Sequence, residues 1–150
     1  MRETRGDLFQ TIGIYDAMCI TTNGTIKRDG TAVMGAGCAK VAKAKWPGID
    51  STLGKMLRAH GNHCIDLWIE VQGQLVQHVY SFPVKRNWWE KASPSLIRRS
   101  CQEMMEIANR EGYHSIVIPR PGCGNGKRKW DEIKPILEEE LDDRFYIITY

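Results

Sequence analysis

The sequence predicts an α/β fold, a mixed central sheet with helices on both faces, and two observations carry that prediction. Short apolar runs of strand length alternate along the chain with longer segments of helical periodicity. The runs around Ala17, Met18, Cys19 and Ile20 and around Ile116, Val117 and Ile118 are nearly unbroken, as expected of strands buried on both faces rather than one. Apolar residues make up 42% and charged residues 26% of the 150, a globular balance sufficient for one domain with its own core. No internal repeat or linker divides the chain, so residues 1–150 are expected to form a single domain.

The elements follow in order. The run 17–22 stops at Asn23 and Gly24, a turn pair, and Asp29 and Gly30 offer a second turn that would close a small hairpin. Gly35, Ala36 and Gly37 lead into a strong helix-forming stretch from Cys38 to Lys45, stopped by Pro47. Ile49, Leu53, Met56 and Leu57 keep helical spacing up to Gly61. Segments 65–71 and 75–82 flank Gln72, Gly73 and Gln74 as a hairpin, and this hairpin is what makes the sheet mixed. Ser93 and Pro94 suit an N-cap and first helical position, and Gly112 suits the stop. Residues 114–119 read as a strand, the segment from Trp130 to Leu141 as a helix, and 144–150 as the closing strand.

Charge and cysteine usage narrow the function classes. The formal charge of +3 falls short of the dense basic surface of a nucleic-acid binder and still suits one anionic small ligand. Five cysteines without C-x-x-C spacing argue against a disulfide framework or zinc ribbon and suit a reducing compartment. His60, His63 and Cys64 are metal-ligand types close together, but no second half completes four positions, so a helix end and loop is the simpler reading. No stretch approaches the ~18 apolar residues of a membrane span and residues 1–20 lack a signal-like core, so a cytoplasmic protein is expected. Arg98 and Arg99 read as a solvated helix face, and the acidic run Glu138, Glu139, Glu140 sits at a helix C-terminus against the dipole.

Two glycine-rich segments stand where a strand should end and a helix begin: one through Gly35 and Gly37, one through Gly122, Gly124 and Gly126. Glycine admits close backbone approach, and helix N-termini present free N–H groups, so a pair of such loops on one sheet edge would clamp a pyrophosphate. Neither matches the P-loop or the G-x-G-x-x-G pattern, which disfavours an ATPase or a dinucleotide dehydrogenase.

Three motifs in order, Gly6-Asp7-Leu8-Phe9, Met34-Gly35-Ala36-Gly37-Cys38-Ala39 and Pro119-Arg120-Pro121-Gly122-Cys123-Gly124, resemble those of the macro domain, the ADP-ribose-binding fold, and its terminal ADP-ribose protein glycohydrolase-like branch. Trp130 and the closing Ile147, Ile148, Thr149, Tyr150 segment extend the resemblance over nearly the whole chain. The resemblance implies a three-layer α/β/α domain. It implies that Asp7 accepts the adenine amine beside Leu8, with Tyr150 packing nearby. Gly35, Ala36, Gly37 and Cys38 would hold the distal ribose and part of the diphosphate; Gly122, Cys123, Gly124, Asn125 and Gly126 would wrap the diphosphate; Thr21 is placed with these contacts. Asp7 also reads as a plain turn residue, and Cys38 and Cys123 as small residues in tight loops.

The same resemblance puts an attacking lysine at Lys85, which needs a depressed pKa from burial or from Arg86. Lys85 reads alternatively as an exposed strand-end lysine or a phosphate contact. The branch's acid falls at Gly126, so that group is missing; Asp29 is the other carboxylate in an inserted segment. Asn23 is a second catalytic candidate, orienting water or binding the distal ribose, or simply an Asn-Gly turn. The expected function is ADP-ribose binding with hydrolysis of an ADP-ribosyl ester on a protein carboxylate or of ADP-ribose-1″-phosphate; the alternative is a reader without chemistry. Trp88 and Trp89 beside Arg86 and Lys91 allow a third reading, a stacking platform for nucleic acid, set against a lid or surface packing. No metal, cofactor, nucleic acid or membrane partner is expected, and the protein is expected to be a monomer.

Overall fold

The computed structural model describes residues 1–150. Its strands are β1 (Arg2–Arg5), β2 (Ala17–Asn23), β3 (Ile69–Val71), β4 (Gln74–Lys85), β5 (Ile116–Pro119) and β6 (Phe145–Thr149). Its helices are α1 (Gly37–Lys45), α2 (Ile49–His60), α3 (Pro94–Glu111) and α4 (Trp130–Glu140), with a 3₁₀ turn at Leu8–Thr11. The six strands form one sheet in the order β1-β6-β5-β2-β4-β3. All pairings are parallel except that of the edge strand β3 with β4. The expected mixed α/β sheet is therefore present, and five strands end on the same edge.

Burial explains the unbroken apolar runs. Along β2, Ala17 and Cys19 face the cluster built with α3 and α4, and Met18 and Ile20 face the cluster built with α1 and α2. Phe145 and Ile147 against Ile148 repeat the division in β6. Both faces of the central strands are covered, so alternation with polar residues has no place. Helix ends follow local chemistry. Ser93 Oγ accepts from the Leu96 N–H at 3.2 Å with Pro94 in the first turn. Gly112 ends α3 at φ +72°, a conformation that favours glycine.

Several expectations need correction. The strand β1 is not expected from the sequence, because Arg2, Glu3, Thr4 and Arg5 form a mostly exposed edge with no apolar pattern. The hairpin expected at 23–30 reduces to one antiparallel bridge, Ile26 to Ala32, around a turn in which Asp29 Oδ1 accepts from the Thr31 N–H and hydroxyl. The first strand of the later hairpin is shorter than 65–71, because Trp68 sits at φ +48° with its N–H on Asp66 Oδ1. Arg98 is not merely solvated: it reaches Glu139 and Glu140 at 2.7 Å each, tying α3 to the acidic end of α4 and offsetting the charge that opposes the helix dipole.

Candidate functional site

The parallel strands deliver both glycine loops to one rim. The first loop follows β2 and the bridge segment and enters α1, whose N-cap, Ala36, has no side-chain acceptor for the first N–H groups of the helix. The second follows β5. Its turn is closed by Lys127 N–H to Gly124 O (3.0 Å) and Arg128 N–H to Gly122 O (2.9 Å). The N–H groups of Gly124, Asn125 and Gly126 donate to no acceptor within the chain. A Cβ built on Gly37 would lie 3.1 Å from Asn125 Nδ2, so the two loops meet there.

Beneath that meeting point is a cavity of about 700 Å³. Of the residues expected at the site, Thr21, Asn23, Gly35, Ala36, Gly37, Cys38, Lys85, Gly122, Gly124, Asn125 and Gly126 line it. Asp7, Leu8, Cys123 and Tyr150 do not. Asp7 accepts the Phe9 N–H at 3.0 Å as the cap of the 3₁₀ turn, Leu8 is buried in the core beside α1 and α2, and the Tyr150 hydroxyl lies against Asp7, whose charge raises the Tyr150 pKa. These three sit together at the β1 and β6 ends of the same rim. Cys123 faces the far side of the second loop.

Lys85 ends β4. Its Nζ donates to the carbonyls of Asn125 (3.2 Å) and Trp88 (3.3 Å), bridging the second glycine loop to the β4–α3 connection. Burial holds its pKa below the ordinary lysine value, with Lys127 as the second cause. The assisting cation is thus Lys127 from the second loop, not the sequence neighbour Arg86. Asn23 is heavily engaged: Nδ2 donates to Val33 O at 3.1 Å, and Oδ1 accepts the Thr25 N–H at 3.0 Å. It holds the inserted segment against β2 while its side of the strand faces the cavity. Cys38 Sγ accepts from the Thr21 N–H at 3.3 Å, and burial raises its pKa, so it stays a thiol.

The charge of the lining is one-sided. Lys27, Lys85 and Arg120 contribute to it, and none of its twenty residues carries a carboxylate. Asp29 is spent on its own turn outside the cavity. At Gly126 a Cβ would lie 2.5 Å from the Gly122 carbonyl oxygen and 2.8 Å from the Ala92 Cβ, so the position has no room for an acid. Lys27 and the half-exposed Trp88 are lining residues that the site expectations missed. Lys27 stands beside Arg28 between turn signals, a pattern with no signature. Trp88 is drawn in by its N–H to Thr25 Oγ1 (3.1 Å). Away from the cavity, His63 Nδ1 pairs with Glu103 at 2.7 Å and Cys64 Sγ donates to Ser100 O, an arrangement internal to the fold.

Comparison with known proteins agrees with this fold. Residues 22–137 match the family model described as Macro domain. The chain is 24% identical to the Bos taurus ADP-ribose glycohydrolase OARD1 over 109 residues, covering 73% of this chain and 67% of that protein. Among solved structures, the macrodomain of Thermus aquaticus DarG superimposes with a TM-score of 0.77 at 22% identity, over 99% of this chain and 97% of that one. Thermosipho africanus DarTG in complex with ADP-ribose gives 0.76 at 19% identity, over 98% of this chain and 41% of that one.

Proposed function

Because the chain belongs to the macro domain family, we propose that the rim cavity binds ADP-ribose and that Lys85 releases it from linkages whose leaving group departs as an anion. The observation that carries the reading is the cavity itself: two glycine loops meeting over a lining that holds cations and no carboxylate. Sheet order, taken with the residue roles that the resemblance implies, supports a direction for the ligand. Asp7 and Tyr150 stand at β1 and β6, the diphosphate loops at β5 and β2, and Lys85 at β4. From β6 to β4 is three inter-strand steps, about 14 Å, so adenine lies at one end and the distal ribose at the other. Free N–H groups of Gly124, Asn125 and Gly126 face the phosphate oxygens.

Neutral Lys85 Nζ attacks C1″ of the distal ribose; the new C–N bond forms as the C1″–O bond breaks, and the leaving oxygen takes the electron pair. Water then adds at C1″ as the C–N bond breaks; the ammonium formed by the attack leaves as the neutral amine, and the proton of the added water passes to solvent. A carboxylate with an ordinary pKa of about 4 leaves without being protonated, and a phosphate likewise. The linkages that tolerate the missing acid are therefore the ADP-ribosyl ester on a protein carboxylate and ADP-ribose-1″-phosphate. A leaving group that needs a proton would find no donor at Gly126.

A second reading, an ADP-ribose reader without chemistry, draws support from the same absent carboxylate and from the two carbonyls that favour the charged form of Lys85. The proposal takes residues 1–150 as one macro domain, a cytoplasmic monomer without nucleic-acid or membrane partner; no helix is long and apolar enough to cross a membrane, and the formal charge is only +3.

Calorimetry with ADP-ribose tests binding. Incubation with carboxylate-linked ADP-ribosylated protein and with ADP-ribose-1″-phosphate, following free ADP-ribose, tests chemistry. Expected are binding by wild type and Lys85→Ala, with release by wild type alone. Binding without release assigns the reader; release unchanged in Lys85→Ala removes the lysine mechanism.

A further inference from the structure

The second glycine loop has a cavity on its other side as well. This space, about 580 Å³, shares Arg120 and Gly124 with the first, so the loop is the wall between them. Its charged lining is Arg120, Arg128, Lys129 and Asp131, and Thr149 closes it from the end of β6. Thr149 ends β6 and Arg120 follows the adjacent β5, which places this cavity at the β5–β6 stretch of the rim, toward Asp7 and Tyr150 and away from Lys85.

The two arginines are held where they are. The Arg120 guanidinium lies 4.6 Å over the Trp130 ring and 3.6 Å from Glu3 Oε1. Arg128 Nε donates to Ala92 O at 2.7 Å, with Glu132 at 3.9 Å from its terminal nitrogen. Those contacts fix the planar groups and leave further N–H donors of each free. A guanidinium already in place loses little freedom when it binds an oxyanion, and its fork geometry matches phosphate. Asp131 opposes an anion there, as do Glu3 and Glu132 beside the arginines, but Lys134 pairs with Glu3 at 2.9 Å, so Arg120, Arg128, Lys129 and Lys134 outnumber the three carboxylates.

We propose that this second cavity takes a phosphoryl group carried on a hydroxyl of the adenosine ribose, so that the protein binds 2′- or 3′-phosphorylated ADP-ribose more tightly than ADP-ribose. The inference rests on the ADP-ribose reading and deepens it, because that reading lays the adenosine half over β5 and β6. A phosphate monoester brings close to two negative charges to the shared wall at Arg120. The diphosphate stays in the first cavity, and Lys129 and Arg128 meet the added group from the turn before α4.

Titration calorimetry with ADP-ribose, 2′-phospho-ADP-ribose and 3′-phospho-ADP-ribose at low ionic strength tests it, and comparing the last two identifies which hydroxyl carries the group. Expected is about tenfold tighter binding of one phosphorylated form, weakening as salt is added. Lys129→Ala, an exposed residue outside the first cavity, removes most of that gain and leaves ADP-ribose affinity unchanged. Asp131→Asn increases the gain. Arg128→Ala is a less clean variant, since it frees Ala92 O; the other two do not touch that contact. ADP-ribose binding with no advantage for either phosphorylated form overturns this inference alone. A gain that persists in Lys129→Glu overturns the assignment to this cavity. Failure of all three ligands to bind overturns the ADP-ribose reading and this inference with it.

Discussion

In the first glycine loop a Cβ built on Gly35 meets nothing within 4 Å, whereas in the second one built on Gly126 runs into the Gly122 backbone and Ala92. Gly122 is similarly confined, at φ +77° with Ala92 Cβ and Ile97 Cδ1 each 2.9 Å from an added Cβ. Gly124 belongs to the second loop yet is as open as Gly35. The two groups of glycines have different causes. Gly122 and Gly126 are required by the protein's own packing, since Gly126 O accepts the Ala92 N–H at 3.0 Å and the loop lies directly on the start of α3. Gly35 and Gly124 satisfy no internal demand, and both face the cavity; under the proposed function, what they leave room for is a ligand's approach to the backbone.

That contrast is open to breaking. The largest effect belongs to Gly126→Asp, which restores the acid that the resemblance expects. Overpacking there costs about 1–3 kcal/mol, visible as a lower denaturation midpoint, with no faster release of ADP-ribose. A stable variant with faster release would mean that the loop shifts readily, and that Gly126 is not a packing residue. Gly35→Ala and Gly124→Ala come next and reverse the pattern. Stability stays within about 0.5 kcal/mol, while ADP-ribose affinity in calorimetry falls about tenfold. Should both variants bind normally, the open glycines have no ligand-facing role.

Asn23→Ala sharpens the comparison from the neighbouring segment. It removes the bonds to Val33 O and from the Thr25 N–H, costing about 1 kcal/mol by thermal or chemical denaturation. The smallest effect is on pH. The proposed attack needs the neutral amine, so release is expected to rise with pH through the Lys85 pKa, which burial and Lys127 hold below the ordinary lysine value. Lys127→Gln removes the lesser cause, the pKa rises, and the ascending limb of the rate profile moves to higher pH. A limb that stays in place assigns the depression to burial alone.

The legible parts of the sequence were those with a repeating physical demand. β2 and β5 are buried twice over and so read as apolar runs; α3 carries its own start and stop in Ser93 and Gly112. Both glycine loops were recognisable from their strand-to-helix context, and most of the expected site residues do line one cavity. What escaped lacked such a demand. β1 is a charged edge whose only partner is β6, at the other end of the chain. Lys27 enters the cavity on a segment held by Asn23 and Asp29, whose turn chemistry announces a bend but not where its lysine points. The cation beside Lys85 comes from the second loop because two strand ends, far apart in sequence, are adjacent at the rim. Spacing along the chain carries no trace of that.

The position of β6 between β1 and β5 has a kinetic consequence. β1 is synthesised before the other strands of the domain, yet its hydrogen-bonding partner β6 follows only on the order of ten seconds later. Until then β1 is an unpaired ribbon and β5 has one bare flank, so the end of the rim that holds Asp7 does not exist in the nascent chain. Insertion of the last strand is a long-range closure of the slow kind, and the Asp7 and Tyr150 end of the rim is assembled only by that step.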